Sequence, residues 1–325
     1  MSPLNYWHQN LNPACERRET DALKWGHAVH CRLLEAERFS GAYAAKLSKD
    51  DYPGVLVTDD DLKACLVENG LPTTGKRKQE RIDRIRASGI DALIWDELVE
   101  AHAGETAGKV LVTAQEMRHL DRIAEVVQGS AHARKSLNSG LAEVSFFVRD
   151  PSTGVMLKAR MDYVRHTHTV DLKTFSNTRG KSTERAIFDA MFYEGYYAQA
   201  VFYHYVREIA RLKLGASKIQ VHGDYTNEWW SGFVTKADHY FEFLFIESDE
   251  PFDMRPIVLQ REEYPNAEPN AYWTDGELRI SALIRRYAEY VEQFGNEPWR
   301  ESHEPHVLLD TDMPQLIYNG GAWDQ

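Results

Sequence analysis

The sequence predicts an α/β protein, because segments with strand patterning alternate along the chain with segments of helical patterning. Three short strands are predicted over 142–148, 155–164 and 169–174, and residues 150–154 between the first two are types that prefer turns. A further segment, 240–247, is strongly β in composition. The helical segments carry apolar residues at three- and four-residue steps, the pattern of a helix with one buried face.

Length and composition indicate an ordinary globular protein. The chain has 325 residues, 43% hydrophobic and 27% charged, enough for one large domain or two modest ones. No run of about 18 apolar residues is present and the N-terminus lacks a signal-peptide layout, so we expect no membrane association and a cytoplasmic location. Cys15, Cys31 and Cys65 are too few for a disulfide framework, a four-cysteine zinc site or an iron–sulfur cluster.

The charge balance is acidic, with one local exception. A formal net charge of −12 argues against a simple basic nucleic-acid binder, but it allows an enzyme that meets DNA through a local basic patch and a metal. Such a patch lies in a small unit predicted over 55–92, where an extended turn joins two helices. With Leu62, Gly70, Leu71, Gly75 and the Lys/Arg run at matching places, the pattern resembles the SAP DNA-binding motif, whose function would be phosphate contact. A solvated basic helix is the alternative. The predicted DNA-contacting residues are Lys76, Arg77, Lys78 and Arg81.

The N-terminal half is predicted to be mainly helical. Residues 1–19 are polar and contain prolines, so they are predicted to be irregular, and the first helix starts near residue 20. His30 lies in the apolar run of this helix, where an ordinary core histidine is the simplest interpretation. Helices over 95–104 and 113–137 lead into the first strand, and the second of them starts with a capping-box pattern.

The C-terminal half returns to alternating helices and strands. Its assignment rests on the same apolar spacing for helices and on β-branched and aromatic runs for strands. The predicted elements are helices over 184–192, 194–214 and 275–294, strands over 217–224, 240–247 and 255–260, an aromatic loop over 229–233, and an extended tail over 296–325.

Each of the three central strands can be sorted into one apolar and one charged face, because side chains alternate across a strand. The charged faces are rich in carboxylates, which repel each other on a partly buried sheet unless a cation lies among them. We therefore predict a divalent-metal site; an ordinary solvated sheet face is the alternative. The charged faces hold Glu143 and Ser145; Lys158, Arg160 and Asp162; and Asp171 and Lys173, whereas Leu157, Ala159, Met161 and Tyr163 are predicted to share the apolar face of the second strand.

The spacing of these charged residues favours phosphodiester hydrolysis. Asp162 is followed nine residues later by Asp171-Leu172-Lys173, and the two-residue step puts Asp171 and Lys173 side by side on one strand face. Carboxylates hold Mg²⁺, which polarises a phosphate and lowers the pKa of a bound water, and a lysine positions that water or offsets the developing charge. The helix predicted after the strands places two further polar side chains on one face, Gln199 and Tyr203.

Taken together, these segments resemble a PD-(D/E)xK nuclease, and more closely the RecE (exodeoxyribonuclease VIII) branch of phage recombination exonucleases. The matching pieces occur in the family's order and span about residues 20–295. Each piece is modest, but five in sequence are hard to obtain by chance. They are Gly26-x-x-x-His30-x-x-Leu33-Leu34-Glu35, Glu143-Val144-Ser145-Phe146, Lys158-Ala159-Arg160-Met161-Asp162, Asp171-Leu172-Lys173-Thr174 and Gln199-x-x-x-Tyr203.

The resemblance implies a restriction-endonuclease-like core, a central mixed sheet flanked by helices, with the SAP-like unit as a small helical insertion. It implies an N-terminal helical part over 1–54, the insertion over 55–92, a nuclease core over 93–295 and a tail over 296–325. The metal ligands that the resemblance implies are His30, Asp162, Asp171 and the carbonyl of Leu172. It implies that Lys173 is the catalytic lysine and that Glu143 helps to bind or orient the metal or its water. Gln199 and Tyr203 are then residues that line the site, and Lys158 and Arg160 are supporting charges for phosphate.

The implied activity is Mg²⁺-dependent digestion of linear duplex DNA from 5′ ends, with Mn²⁺ able to substitute and no iron–sulfur cluster. Digestion leaves 3′ single strands for a single-strand annealing protein, and family members form homo-oligomeric rings. A phage or prophage origin in a bacterial host follows from the same resemblance. Two other functions stay open: a catalytically silent DNA-binding or recombination-scaffold protein with this fold, and a binding module for a phage or host partner.

Overall fold

The computed structural model describes residues 2–16, 19–177, 180, 182–212, 219–236, 240–262 and 267–302. The helices of these residues are α1 (Pro3–Asn10), α2 (Asp21–Leu34), α3 (Ala36–Ala42), α4 (Asp59–Glu68), α5 (Lys78–Ala87), α6 (Trp95–Glu105), α7 (Ala114–Gly129), α8 (Ala131–Ser136), α9 (Thr183–Tyr193), α10 (Tyr196–Leu212), α11 (Asn227–Thr235) and α12 (Ala271–Phe294). The strands are β1 (Tyr43–Ala45), β2 (Val110–Val112), β3 (Leu141–Arg149), β4 (Met156–Val164), β5 (His168–Phe175), β6 (Gln220–His222), β7 (Tyr240–Glu247) and β8 (Met254–Leu259).

A six-stranded mixed sheet forms the centre of the fold, in the order β6-β3-β4-β5-β7-β8. Only β5 and β7 pair in parallel within this sheet; the other neighbours are antiparallel. β1 and β2 pair in parallel as a separate two-stranded sheet. With helices on both faces of the central sheet, the predicted fold class, a mixed α/β core of the restriction-endonuclease type, is confirmed.

Two layers of helices cover the sheet because its inner strands are apolar on both faces. Val170 and Leu172 of β5 pack with α2, α7 and α8 in what we call the α2-side cluster. Val144 and Met161, from β3 and β4, pack with α10 and α11 in the α10-side cluster. β7 is buried almost from end to end, and Phe243 packs against α9 and α10 in a third cluster. Such a doubly covered strand is nearly continuous in apolar residues, as its sequence is.

Three sequence-based assignments are wrong. Residues 3–10 form a helix, begun by the Ser2 side chain and by Pro3 at its first position, where a missing N–H costs nothing. The single helix predicted over 113–137 is divided at Ser130, whose side chain accepts from the Ala133 N–H and so starts α8. The predicted aromatic loop over 229–233 lies within α11, which is capped by Thr226.

The three central strands lie where they were predicted, with one or two residues of difference at their ends. The strand predicted over 217–224 is shorter, as β6, and its residues 217–218 lie outside the described part of the chain. The last two residues of the helix predicted over 194–214 and the tail residues 303–325 also lie outside it.

The basic unit consists of α4 and α5 and has a small core of its own. A parallel bridge between Leu56 and Ile94 brings the two ends of the unit together. Thr58 caps α4 and forms a reciprocal capping box with Asp61. Between the helices, the fully buried core residues are Leu62, Leu66, Ile82 and Ile85.

The chain divides into two compact units, one of residues 19–284 and one of residues 1–18 with 285–325. The first contains the central sheet. In the second, Trp299 is almost fully buried and its ring stacks on Tyr6 and Tyr290 at centroid distances of 5.8 and 5.2 Å. The predicted domain boundaries at 54, 92 and 295 stay predictions. Among the described residues no helix is both long and apolar enough to cross a membrane.

Candidate active site

Continuing the register of β3 and β4 puts Glu143 opposite Asp162, at a break in the pairing where both strands lose their regular alternation. Residues two apart on a strand normally share a face of the sheet. On either side of Glu143 and Asp162, however, the paired residues belong to opposite sides of the sheet. These neighbours are the Ala142–Tyr163 pair, in the α2-side cluster, and the Val144–Met161 pair, in the α10-side cluster.

Glu143 has a left-handed backbone, with φ of 55°. Such a conformation is uncommon for a residue other than glycine, costs about 1–3 kcal/mol, and is concentrated at functional sites. Glu143 marks a change of phase along β3, the point where the alternation of side chains between the two faces of the sheet shifts by one residue. The prediction that Tyr163 shares an apolar face with Met161 is therefore wrong, because the alternation of β4 does not continue through Asp162.

β4 and β5 separate next to Asp162. The two strands pair over only two residues each, and continuing their register puts Asp162 opposite Asp171. At this point the Leu172 N–H donates to Asp162 Oδ2 at 2.8 Å, so a side chain takes the place of a strand-to-strand hydrogen bond. Burial, and then the neighbouring Asp171 carboxylate, raise the pKa of Asp162 to about 7. The gap between the strands thus holds two carboxylates that repel each other.

His30 reaches this gap from α2. Its Nε2 lies 3.2 Å from the Leu172 carbonyl oxygen, which can only accept, so Nε2 carries the proton. Its Nδ1 then points to the acidic residues, 3.6 Å from Asp162 Oδ2 and 3.9 Å from Glu143 Oε1. Burial lowers the pKa of His30, but the Glu143 and Asp162 carboxylates outweigh this effect, and the net pKa is raised.

His30, Glu143 and Asp162 form a group that fits a divalent cation. One ligand atom from each lies within 4.8 Å of the others. Burial raises the pKa of Glu143, but His30 and Arg160 lower it more, so the carboxylate is ionised at neutral pH. Two carboxylates and one imidazole are hard and borderline donors of the kind that bind Mg²⁺, Mn²⁺ and related ions.

Lys173 and Asp171 form a second, buried pair beside this group. Lys173 Nζ lies 2.6 Å from Asp171 Oδ2, and Gln199 of α10 donates to Asp171 Oδ1 at 3.1 Å. Burial lowers the pKa of Lys173, but Asp171 raises it more, so the ammonium stays charged. Asp171 was predicted as a metal ligand, but in the structure it bonds to Lys173 and Gln199. The third member of the three-donor group is Glu143.

Two tyrosines of α10 complete the lining of the site. Burial, followed by the Asp171 charge, raises the pKa of Tyr203 to about 12, so its hydroxyl remains a hydrogen-bond donor at neutral pH. Tyr196 was not among the predicted site residues, yet Lys173 Nζ lies 4.7 Å from its ring centroid, within cation–π range. The signal was present in the sequence, because Tyr196, Gln199 and Tyr203 share one helix face.

The other predicted charges divide into two groups. Arg160 lies next to the site, its Nε 2.5 Å from Glu143 Oε2, and Lys158 follows on the same exposed side of β4. In the basic unit, Lys78 is bonded to Asp96 and the buried Arg81 bonds Asp59 and backbone carbonyls. Of the four contacts predicted in this unit, Lys76 and Arg77 are exposed, so these two are the best placed to meet a phosphate.

A comparison with protein families identifies the domain. Residues 5–221, well over half of the chain, match the family model described as a PDDEXK-like domain of unknown function (DUF3799). The chain belongs to this family. The match includes every residue of the site described above, from His30 to Tyr203, so the strand gap and the Asp171–Lys173 pair lie in a PDDEXK-like domain. The resemblance found in the sequence is confirmed at this level.

A protein from Eubacterium rectale, named as a "putative exonuclease", has a solved structure that is similar over most of the chain. It shares 14% sequence identity with this chain, at a TM-score of 0.47, over 98% of this chain and 86% of the other. No curated protein matches the sequence significantly. The family assignment therefore rests on the family model.

Proposed function

We propose that this chain is a divalent-metal-dependent nuclease that hydrolyses phosphodiester bonds of DNA. The observation that supports it most is the junction of two groups at one strand gap. One is the three-donor group of His30, Glu143 and Asp162, and the other is the buried Lys173–Asp171 pair. An ordinary solvated sheet face does not bury one aspartate fully, and a second aspartate and a lysine for the most part, beside a histidine from a distant helix.

His30, Glu143 and Asp162 would hold the cation, with Asp171 and the Leu172 carbonyl as the further ligands that the resemblance suggests. A divalent cation at such a site polarises the scissile phosphate and lowers the pKa of water. Lys173 is charged at neutral pH, so its role is to donate hydrogen bonds and offset negative charge on the phosphate, rather than to accept a proton. Gln199 fixes the Asp171 carboxylate from the opposite side.

The finer features of the proposal come from the likeness to the RecE branch. They are Mg²⁺ as the cation, with Mn²⁺ as substitute, exonucleolytic digestion of linear duplex DNA from 5′ to 3′, and 3′ single-stranded products. The proposal also includes a single-strand annealing protein as partner and assembly into a homo-oligomeric ring. The protein would act in the cytoplasm of a bacterial host and be encoded by a phage or prophage. Polarity does not follow from these side chains, because the same metal and lysine chemistry serves either end.

The mechanism is tested with 5′-phosphorylated linear duplex DNA and Mg²⁺ or Mn²⁺, comparing the wild type with Lys173→Ala. We expect roughly a hundredfold or greater decrease in rate, because the variant lacks the lysine ammonium at the strand gap and leaves Asp171 uncompensated. Lys24→Ala is the matched control, since Lys24 is exposed and its ion pair with Asp21 lies at the surface.

Three outcomes distinguish the alternatives. Equal activity of wild type and Lys173→Ala would exclude the assigned role of this lysine. DNA binding without cleavage by the wild type, under any divalent cation, would favour the scaffold function. Digestion of duplexes labelled at one end or the other gives the polarity, and products shortened from the 3′ ends would contradict the RecE-like part of the proposal.

A further inference from the structure

The central sheet leaves one surface open beside the candidate site, on the outer side of β6, β3 and β4. The α2-side cluster takes only Ala142 and Tyr163 from these three strands, so in the described part of the chain no apolar layer covers the rest of this side. Arg160 exposes 57% of its side chain there. We call this surface the outer strip; its residues are Ser145, Phe147, Lys158, Arg160, Gln220 and His222.

The strand register aligns the outer strip with the site. Ser145 is paired with Arg160 on one side and His222 on the other, which makes the first row. The second row has Phe147 between Lys158 and Gln220. One step in the opposite direction along the same strands lie Glu143 and Asp162, so the strip begins at the three-donor group. Each row is about 7 Å from the next, because two residues of a strand span this length.

The strip is positively charged in an acidic protein. It contains Lys158 and Arg160 and no acidic residue, although the whole chain has a formal net charge of −12. Arg160 already bonds Glu143 through Nε, and its guanidinium has further N–H groups for a second anion. A local basic surface that leads away from a phosphodiesterase site is complementary to a polyanion.

The strip also carries an aromatic platform. The Phe147 ring is half-buried, with the Lys158 Nζ 5.5 Å from its centroid and the His222 ring 5.4 Å away in an edge contact. A ring next to a flexible cation can stack on a base while the cation meets the adjoining phosphate. The bases of a duplex already stack on their neighbours and must be unstacked before a side chain can stack on them, so a stacking ring favours a single strand.

We propose that the outer strip binds a single polynucleotide strand and leads its scissile phosphate to the site. Phe147 stacks on a base, and Lys158 and Arg160 contact phosphates on the way to Glu143 and Asp162. The strand is therefore separated from its complement before it reaches the cation. This inference rests on the proposed nuclease function and extends it by naming the form of DNA that the site receives.

The test is binding of a fluorescent oligothymidylate of about 20 nucleotides, long enough to exceed the site size of one binding groove, measured by anisotropy in EDTA so that no cleavage occurs. We expect Phe147→Ala to weaken binding about tenfold because a base can no longer stack, and Phe147→Tyr to restore it. Lys158→Gln should weaken binding and reduce the slope of log affinity against log salt by about 0.7, the value for one phosphate of a single strand. Arg122→Gln, an exposed arginine of α7 paired with Glu125, is the matched control and should bind as the wild type does.

The outcomes separate the strip from the nuclease proposal. If wild type does not bind the oligonucleotide, or if Phe147→Ala and Lys158→Gln bind it as tightly as Arg122→Gln does, the strip proposal is overturned, whatever the cleavage assay shows. If both variants bind weakly and the wild type cuts no DNA with any cation, the strip stands and the nuclease proposal falls. If Phe147→Ala and Lys158→Gln lose as much affinity for a duplex closed by hairpins at both ends as they lose for the oligothymidylate, the preference for a single strand is overturned. Thermal unfolding of each variant checks that Phe147→Ala remains folded.

Discussion

At the scale of single residues, the site depends on side chains placed in unfavourable surroundings. Asp162 is buried beside another carboxylate, and Glu143 has a backbone conformation that few non-glycine residues adopt. Both features reduce stability, because two neighbouring carboxylates repel each other and a left-handed backbone is strained in a residue other than glycine. A cation would compensate the carboxylate repulsion directly, which ties the strain to the proposed function.

Metal affinity should therefore rise with pH between about 6 and 8. Asp162 has a pKa of about 7 and the pKa of His30 is raised, so at pH 6 both side chains hold protons that a cation must displace. Below about pH 7 we expect about a tenfold gain in affinity per pH unit for each proton released. Calorimetric titration with Mn²⁺ in two buffers of different ionisation enthalpy counts these protons.

A pH-independent affinity, with no proton released at about pH 6.5, would contradict this expectation. Asp21→Asn provides the control, because the Asp21 side chain is fully exposed at the start of α2 and should not change proton release.

At the scale of elements, the β3–β4 hairpin is locked onto α10 by one carboxylate at its turn. Asp150 is 2% exposed and accepts hydrogen bonds from the backbone and hydroxyl groups of Ser152 and Thr153. Tyr205 of α10 donates to its other oxygen at 2.5 Å. Arg207, further along α10, holds the next connection by donating to the carbonyls of residues 165, 166 and 168. α10 thus fixes both strand connections, and with them the gap between β4 and β5.

Asp150→Asn should lower the free energy of unfolding by about 2 kcal/mol at neutral pH. Burial raises the pKa of Asp150, but its hydrogen bonds outweigh this and bring the pKa down to about 2. A lowered pKa stabilises the folded state above the unfolded value of about 4, and this contribution disappears as the pH falls from about 4 to about 2. Urea unfolding at about pH 7, 4 and 3 should show the difference between the two proteins shrinking at the lowest pH. A difference that is constant with pH, or no larger than that of Asp21→Asn, would reject the role of the Asp150 charge.

At the scale of the whole molecule, the helical unit of α4 and α5 is the second candidate contact with DNA. Its charge is partly used internally, because Lys78 and Arg81 bond Asp96 and Asp59. We expect the double substitution Lys76→Ala with Arg77→Ala to weaken duplex binding and reduce the salt slope by up to about 0.9 for each phosphate that is no longer neutralised. Thermal stability should be unchanged because both side chains are exposed.

Fluorescence anisotropy with a duplex at several salt concentrations measures both quantities for this unit. A salt slope equal to that of the wild type would assign Lys76 and Arg77 to ordinary solvated surface. Arg81→Met is the complementary variant: it should lower stability, since the Arg81 guanidinium also bonds the Gly75 and Thr73 carbonyls.

The sequence by itself determined most of the elements and the types of residue at the site. Two-residue alternation predicts the three central strands, and the Asp171-Leu172-Lys173 step predicts a carboxylate and an ammonium on one strand face, as found. These patterns depend only on residues that are close in the sequence, so they can be recognised without the tertiary structure. The family-level fold was implied by the resemblance of these segments, in their order, to PD-(D/E)xK nucleases.

The tertiary structure decided how these groups meet, which the sequence indicated only through the family resemblance. His30 contacts a carbonyl 142 residues away, the phase change at Glu143 depends on packing on both sides of the sheet, and Lys78 is drawn into a pair with Asp96 of another helix. None of these features has a periodic signature, because each is set by contacts between different segments of the chain. The same holds for the outer strip, whose rows exist only once β6 has paired with β3.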